Sequence, residues 1–290
     1  MSSESLTVFC PAHITCFFDP HSDRNLRKCG SRGAGFSVTL GATTKVTLSE
    51  SKEQSIEVQI NGKKVDAKTT IVAVKNLIKS YPLRVKIEIK QALPMSQGFG
   101  MSGAGALSAS IGVAKLLGLS RMDAIESAHM AEVVCKTGLG DVIAQSFGGI
   151  EIRRSPGLPP WGMIEHLPGD YEVILCVLGK KMSTPSILSN PDMVRRIKIS
   201  ARHCLTSLLD NPSMENLLSL SYAFMNSTGL ASEKIKMAVD VARNYGLASM
   251  CMLGNSIFAI GESDELERML SVFGKVYRCR IDKQGARILD

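Results

Sequence analysis

The stretch that decides the fold lies at residues 94–106, where the sequence is PMSQGFGMSGAGA. Before it, apolar residues alternate with charged ones over residues 85–89, which predicts a β-strand. After it, small and apolar residues continue to Leu117, which predicts a buried helix. Glycines allow a backbone to approach a phosphate closely, and the first turn of a helix offers free N–H groups. The stretch therefore predicts a phosphate-binding loop, with a glycine-rich packing turn as the alternative.

Two common phosphate loops do not fit this stretch. A Walker loop needs Lys followed by Ser or Thr after its final glycine, whereas Gly103 is followed by Ala104. The dinucleotide fingerprint G-x-G-x-x-G is matched by Gly98, Gly100 and Gly103. That fingerprint also requires a second strand that ends in an acidic residue. Residues 119–136 instead predict a second helix, so the match is weak.

Composition indicates a globular protein with an anionic ligand. The chain has 290 residues, of which 44% are hydrophobic, enough for one large or two modest domains. Lys and Arg number 34 against 27 Asp and Glu, and the net charge of +7 points to nucleic acid, a phosphorylated small molecule or an acidic surface. Aromatic residues make up only 5% and the basic residues are scattered, which disfavours nucleic-acid binding.

Neither a membrane span nor a targeting signal is predicted. Residues 91–114 carry no charge, but they include Pro94, five glycines and four serines, a composition that does not suit a lipid-facing helix. Residues 1–4 contain no basic segment followed by an apolar run. We therefore expect a cytoplasmic protein.

The eight cysteines show no zinc-site spacing. Most of them lie in apolar runs, which predicts buried free thiols in a reducing compartment. Cys10 and Cys16 flank residues 11–13 and are the candidates for a reactive thiol.

The pattern of the whole chain predicts an α/β or α+β fold in two lobes. Asn61-Gly62, after the alternating residues 56–60, predicts a β-hairpin, and Ser120 predicts a helix N-cap. Residues 154–170, rich in Pro and Gly, predict a linker between the lobes. Further strands are predicted at residues 6–10, 36–40, 44–48, 150–153, 173–178, 248–253, 256–260 and 275–280, and further helices at residues 69–79, 142–147, 191–209, 213–226 and 231–245.

The glycine-rich stretch resembles the phosphate-binding motif of the GHMP kinase superfamily, P-x-x-x-G-[LF]-G-x-S-x-A. The matching residues are Pro94, Gly98, Phe99, Gly100, Ser102 and Ala104, with Met101 and Gly103 between them. Residues 139–149 resemble the superfamily's S-G-x-D…G-G segment, and residues 252–260 its C-terminal glycine motif. The resemblance implies a two-lobed α+β fold. Residues 1–160 would form a ribosomal-S5-like ATP-binding lobe with a left-handed βαβ unit, and residues 161–290 a ferredoxin-like lobe that completes the site.

Two N-terminal segments narrow the resemblance. PAHITCFF at residues 11–18 and GSRGAG at residues 30–35 resemble the PGHITGFF and GSRGAG motifs of the archaeal pantoate kinases, with Ala12 and Cys16 in place of two glycines. His13 lies in this motif without an assigned role. The resemblance extends over nearly the whole chain and implies phosphorylation of the terminal hydroxyl of pantoate by ATP, for coenzyme A synthesis.

The same resemblance implies roles in phosphoryl transfer. ATP would bind over residues 94–104, and Ser102 and Glu132 would hold Mg²⁺, since hard cations favour oxygen ligands. Asp141 would orient or deprotonate the substrate hydroxyl. The alternatives are helix caps for Ser102 and Asp141 and a solvated helix residue for Glu132.

The pantoate site implied by the resemblance contains Ser31, His129, Arg153 and Thr184. Arginine suits bidentate binding of a carboxylate, and Arg153 is placed opposite the apolar face of its predicted strand, with Arg154 as the expected surface charge. His129 shares a helix face with Glu132 through their i, i+3 spacing. The alternatives are a surface Arg, a structural His and turn-capping hydroxyls.

Pantoate and ATP are therefore the expected partners, without nucleic acid or a membrane. The nearest alternative is a kinase of the same superfamily for another small hydroxylated substrate, such as homoserine or mevalonate. A basic nucleic-acid-binding protein is the alternative from another class. A regulatory ATP-binding protein without catalysis would lack Asp141 or Ser102, and both are present. A homodimer is compatible with the sequence, which does not determine the oligomeric state.

Overall fold

The computed structural model describes residues 3–79, 81–180 and 190–289, and their strands form one sheet of eight strands and another of four. The first sheet has the order β12-β1-β2-β5-β3-β4, with β6 paired to β2 and β7 to β6. Its strands are β1 (Glu4–His21), β2 (Gly30–Glu50), β3 (Ser55–Ile60), β4 (Lys63–Lys64), β5 (Leu83–Gln91), β6 (Ile150–Ser155), β7 (Met163–Leu167) and β12 (Arg287–Ile288).

Strand β2 is long enough to join two parts of this sheet. Its residues 33–36 pair with β6, and its residues 42–50 pair with β5. The predicted hairpin at Asn61-Gly62 is confirmed, because β3 and β4 pair antiparallel across it. Strand β3 also pairs parallel with β5, a connection that requires the helix between them.

Four α-helices lie in the described residues of the first half of the chain. They are α1 (Lys68–Ile78), α2 (Met101–Leu116), α3 (Arg121–Cys135) and α4 (Asp141–Phe147). Helix α2 is buried along most of its length because it contacts β1 and β2 on one side and α1 and α3 on the other. This location explains the charge-free run, since a helix that is apolar all round is a buried one. Ser120 caps α3 in a capping box with Asp123, as predicted.

The second sheet has the strand order β11-β8-β10-β9, and its pairs are all antiparallel. Its strands are β8 (Glu172–Val177), β9 (Gly246–Met250), β10 (Ser256–Gly261) and β11 (Lys275–Arg280). Its helices are α5 (Pro191–Asp210), α6 (Met214–Thr228), α7 (Glu233–Ala242) and α8 (Ser263–Leu270). The order of the four strands and the helical crossovers β8–β9 and β10–β11 match the ferredoxin-like arrangement expected for this lobe.

Aromatic contacts join the two sheets into a common core. Phe36 on β2 meets Phe258 on β10 edge to face, with ring centroids 5.3 Å apart. Phe18 on β1 packs in the same way against Phe224 on α6, at 5.8 Å. The second sheet and α6 are thus packed directly on the strands that carry the N-terminal motifs.

Several elements differ from the prediction. The strands predicted at residues 36–40 and 44–48 form the single strand β2, and β12 was not predicted. Strand β1 continues to His21, because residues 11–21 pair with β2 through two register shifts that break the alternation in the sequence. The predicted linker was wrong over residues 163–167, which form β7 at the edge of the first sheet. Helix α8 was not predicted.

The division of the chain at residue 160 stays a prediction. Strand β7 lies beyond that position, and the last strand, β12, returns to pair with β1. No helix in the described part of the chain combines the length and the hydropathy needed to span a membrane.

Candidate active site

The glycine-rich stretch forms the turn between β5 and α2, as predicted. Gly98 and Gly100 have φ angles of +79° and +60°, in the left-handed region that favours glycine. A Cβ atom on Gly98 would lie 2.8 Å from the carbonyl oxygen of Cys251, and one on Gly100 would lie 2.9 Å from Nε2 of Gln145. No side chain caps the N-terminus of α2. The loop therefore has two properties that suit phosphate binding, glycines at two left-handed backbone positions and uncapped helix N–H groups.

The C-terminal glycine motif packs against this loop. A Cβ atom on Gly254 would lie 2.1 Å from the carbonyl carbon of Gln97, so only glycine fits there. Ser256 donates a hydrogen bond from Oγ to the carbonyl of Gln97. On the other side, the backbone N–H of His13 donates to the carbonyl of Phe99 at 3.1 Å. Three motifs that are distant in sequence are thus held together around one loop.

Glu132, on α3, places an unsatisfied carboxylate beside the loop. Its side chain is fully buried. Neither carboxylate oxygen makes a well-formed hydrogen bond with a described residue. The nearby backbone N–H of Val142 nevertheless favours the charged form of the carboxyl and lowers its pKa. A Cβ atom added to Gly103 would lie 2.9 Å from Oε1 of Glu132, and one added to Gly138 would lie 2.4 Å from it. Burial, followed by the charge of Asp141, raises the pKa of this carboxyl well above its ordinary value. An uncompensated carboxylate of this kind fits a cation ligand.

Ser102 is in the first turn of α2, next to Gly103. Its Oγ donates to Oγ1 of Thr69 at 3.3 Å, and Thr69 in turn lies 3.2 Å from Oγ1 of Thr137. Among residues 3–79, 81–180 and 190–289, no group of three His, Cys, Asp or Glu side chains is arranged to hold a metal ion. Ser102 and Glu132 offer the two oxygen donors that a Mg²⁺ ion shared with nucleotide phosphates would use.

Asp141 is the first residue of α4 and lies between the loop and Glu132. A Cβ atom added to Gly100 would lie 3.1 Å from Cγ of Asp141, and one added to Gly138 would lie 2.9 Å from its Oδ2. Oδ1 accepts a hydrogen bond from Nδ1 of His13 at 2.7 Å. The side chain is 21% exposed, so the carboxylate is accessible from the loop side.

The imidazole of His13 is buried between two carboxylates. Its second nitrogen, Nε2, lies 2.8 Å from Oε1 of Glu151. Burial alone would lower the pKa of this imidazole, but the charge of Glu151 and hydrogen bonds with Asp141 and Glu151 raise it to about 9. A pKa of about 9 favours a ring that is protonated on both nitrogens at neutral pH and donates to both carboxylates, although Nη1 of Arg153 also lies 3.5 Å from Nε2.

Ser31 and Arg153 meet at Gly140, the residue before Asp141. A Cβ atom on Gly140 would lie 2.7 Å from Oγ of Ser31 and 3.1 Å from Nε of Arg153. Arg153 is only 2% exposed and donates from Nη1 to Oε1 of Glu151, while its Nε has no partner in the described part of the chain. Arg154 is exposed and pairs with Glu165, so it is the surface charge that the sequence analysis expected.

Of the other two predicted substrate residues, the structure describes only His129, which contacts neither Ser31 nor Arg153. Nε2 of His129 lies 3.3 Å from the carbonyl of Leu26, in the 3-10 helix (Leu26–Lys28) that leads to Ser31. Burial lowers the pKa of this imidazole, which is therefore neutral at pH 7. Thr184 lies outside the described residues. For both, a contact with substrate stays a prediction.

Sequence reasoning missed Glu151 and Gln145 and left His13 without a role. Glu151 and Arg153 alternate with buried isoleucines on β6, so a charged pair within an apolar strand was the available signal. Gln145 donates from Nε2 to the carbonyl of Gly100 at 2.9 Å. It lies four residues after Asp141, one turn along the same helix.

The cysteines do not form a reactive centre with these groups. Cys10 and Cys16 are fully buried, and burial raises the pKa of both thiols well above the ordinary value. All eight cysteines are free. Since the thiolate is the nucleophile, the structure favours the buried, inert alternative.

Comparison with known proteins agrees with this geometry. Residues 68–149 match the family of GHMP kinases N terminal domains. The chain is 37% identical over 280 residues to a pantoate kinase of Methanocaldococcus jannaschii, with 94% of this chain and 99% of that protein covered. A solved structure described as a phosphotransferase related to the CoA biosynthesis pathway is 31% identical, covers 98% of both chains and has a TM-score of 0.91. A homoserine kinase from Cytophaga hutchinsonii, 17% identical, shares the fold with a TM-score of 0.72 over 98% of this chain and 97% of that one. The chain belongs to the pantoate kinase family of the GHMP kinase superfamily.

Proposed function

We propose that this protein transfers the γ-phosphoryl group of ATP to the hydroxyl of pantoate, giving 4-phosphopantoate for coenzyme A biosynthesis. The observation that carries the proposal is the full-length relationship to pantoate kinases. The site supports it, because Glu132, Asp141 and Arg153 all lie close to glycines of the loop or of the turn before α4. Phosphoryl transfer needs this combination of phosphate cradle, cation ligand and hydroxyl-orienting group.

The phosphates of ATP would lie over residues 98–103. The uncapped first turn of α2 supplies N–H donors and the positive end of the helix dipole. Gly98 and Gly103 let the loop backbone pack closely against its supports, since a Cβ atom would lie 2.8 Å from the carbonyl oxygen of Cys251 at Gly98 and 2.9 Å from Oε1 of Glu132 at Gly103. The loop itself carries no charge, so the +7 of the whole chain is mainly a property of its surface.

Mg²⁺ would be held by Oγ of Ser102 and the carboxylate of Glu132. The fit rests on the buried and unsatisfied oxygens of Glu132. Mg²⁺, when bound, would neutralise charge on the transferred phosphoryl group.

Asp141 would act as the general base. Its Oδ1 is occupied by the hydrogen bond from His13, whereas its Oδ2 makes no hydrogen bond with a described residue. The hydroxyl proton would pass to Oδ2 as the new oxygen–phosphorus bond forms and the bond between the γ-phosphorus and the bridging oxygen breaks. ADP then leaves with that oxygen.

The acceptor carboxylate would bind at Arg153 and Ser31, beside Gly140. Arg153 has a buried Nε without a partner, and Ser31 offers a hydroxyl at the same place. A carboxylate there would satisfy the orphaned N–H group through a charge-assisted hydrogen bond. His129 and Thr184 complete the proposed substrate set.

The test is ADP release by the purified protein with ATP, Mg²⁺ and a panel of acceptors: pantoate, homoserine and mevalonate. Pantoate should be turned over with the highest kcat/KM, and mass spectrometry should identify 4-phosphopantoate. ADP release that is independent of pantoate, or faster with another acceptor, would overturn the substrate assignment.

Two neighbouring arginines provide a matched control within this assay. Arg153→Lys keeps the charge but loses the fork that suits a carboxylate, and should raise the KM for pantoate about 10-fold or more. Arg154→Lys, on the exposed face, should leave that KM unchanged. Equal effects of the two substitutions would remove Arg153 from the acceptor site.

A further inference from the structure

Four buried or half-buried charged groups form a continuous row through the first sheet. In order they are Asp141, His13, Glu151 and Arg153, with charges that alternate from negative to positive. Nη1 of Arg153 also lies 3.5 Å from Nε2 of His13, so Glu151 bridges two cations that are themselves close together. Oε1 of Glu151 accepts from both His13 and Arg153, and Oδ1 of Asp141 accepts from the other nitrogen of His13. The row therefore begins at the proposed base and ends at the proposed acceptor site.

The middle of this row is held by three adjacent strands. His13 is on β1 and Glu151 on β6, and Gly35 of β2 lies between them, paired to Thr15 on one side and Glu151 on the other. A Cβ atom on Gly35 would lie 2.8 Å from Nε2 of His13 and 3.1 Å from Oε1 of Glu151. Because no side chain fits there, the two groups meet directly in a tightly packed interior.

We propose that His13 and Glu151 are positioning residues that fix the orientation of Asp141 and link it to the acceptor site at Arg153. This inference rests on the proposed function. Both ring nitrogens of His13 make hydrogen bonds with carboxylates of the row, so the imidazole can neither tilt nor rotate without breaking a charge-assisted hydrogen bond. The carboxylate of Asp141 is held through Oδ1, and Oδ2 is left for the acceptor hydroxyl.

Glu151 connects the two ends of the row because one of its oxygens serves both cations. Its second oxygen, Oε2, is buried and makes no hydrogen bond with a described residue. A displacement of Arg153 toward a bound carboxylate therefore changes the contact that holds His13. The backbone of His13 also donates to Phe99 of the phosphate loop, so the same residue touches the nucleotide side of the site.

The proposal predicts that substitutions in the row affect kcat and KM differently. His13→Gln should lower kcat about 100-fold, the loss that a misplacement of about 1 Å can cause, and should leave the KM for ATP within about 3-fold. Glu151→Gln should lower kcat and also raise the KM for pantoate, because it loosens Arg153 as well. His203→Gln, on the exposed face of α5, is the matched control and should match the parent enzyme.

A double-mutant cycle tests whether His13 acts through Asp141. In the Asp141→Asn background, measured by single-turnover phosphoryl transfer, adding His13→Gln should change the rate less than about 3-fold, because the group to be oriented is already gone. A further loss of about 100-fold in that background would overturn the positioning role. An effect of His13→Gln alone that is confined to the KM for ATP would also overturn the positioning role.

Nuclear magnetic resonance of ¹⁵N-histidine-labelled protein reports the protonation and hydrogen bonding of His13 without any turnover. It therefore tests this proposal separately from the proposed function. The signals that disappear in His13→Gln should show two protonated ring nitrogens at pH 7.5, and they should shift in both Asp141→Asn and Glu151→Gln. A neutral ring, or signals that do not respond to either carboxylate, would overturn the row whatever the acceptor proves to be. Absence of pantoate turnover with an intact row would instead refute only the substrate.

Discussion

Replacing His13 with glutamine should remove most of a pH-dependent contribution to stability. In the folded protein the carboxylates of Glu151 and Asp141 outweigh burial and raise the pKa of this imidazole from 6.5 to about 9. Each pKa unit corresponds to about 1.4 kcal/mol, so the protonated imidazole stabilises the fold by about 3 kcal/mol. That contribution comes from one buried side chain and is a large part of the 5–15 kcal/mol typical of a domain.

The sign of the pH dependence follows from which state binds the proton. Between pH 6.5 and about 9 the folded protein holds a proton on His13 that the unfolded chain has lost. The stabilisation is therefore complete below pH 6.5 and disappears as the pH rises through about 9. His129 behaves in the opposite way, because burial lowers its pKa, so its contribution is complete above pH 6.5 and is lost as the pH falls from 6.5 through the lower pKa of the folded state.

The measurement is the free energy of unfolding by urea at intervals from pH 5.5 to 9.5, for the parent protein, His13→Gln and His129→Gln. The difference between parent and His13→Gln should shrink by about 3 kcal/mol from pH 6.5 to above 9. The difference between parent and His129→Gln should change only below pH 6.5. Parallel curves for parent and His13→Gln across the alkaline range would refute the assignment of an imidazolium between two carboxylates.

Two further substitutions test the phosphate cradle and the cation ligand. Gly103→Ala should abolish ATP binding in calorimetry and retain the fold, because its Cβ atom would lie 2.9 Å from Oε1 of Glu132. Gly179→Ala is the control. Its Cβ atom would have no neighbour nearer than 3.8 Å, so this variant should bind ATP normally. Glu132→Gln should abolish Mg²⁺-dependent turnover yet stabilise the protein without ligands by roughly 1–3 kcal/mol at pH 7, because a buried unsatisfied carboxylate is removed. A lower melting temperature for Glu132→Gln would show that the carboxylate has a stabilising partner.

Local patterns in the sequence were sufficient for much of the fold. The loop at residues 94–106, the cap at Ser120 and the hairpin at Asn61-Gly62 all depend on residues within a few positions of each other. The two-lobed architecture and the roles of Ser102, Glu132 and Asp141 came from the family resemblance.

Elements without a local signal were missed. Strand β7 lies in a segment rich in Pro and Gly, and only its pairing with β6 makes it a strand. The extension of β1 contains two register shifts that hide its alternation. Helix α8 is short and largely exposed, with only Leu266 and Leu270 buried, so few apolar positions marked it in the sequence.

The sequence by itself determined the glycine-rich turn between β5 and α2 and the family to which the chain belongs. The tertiary structure alone decided the partners of the proposed base. His13 is 128 residues from Asp141 and 138 from Glu151. His13 and Glu151 meet because β1 and β6 flank the same segment of β2, and Asp141 joins them because α4 packs against β1. Periodicity and propensity report on neighbours along the chain, whereas the charge and orientation of a buried imidazole depend on groups that the sheet register brings to it.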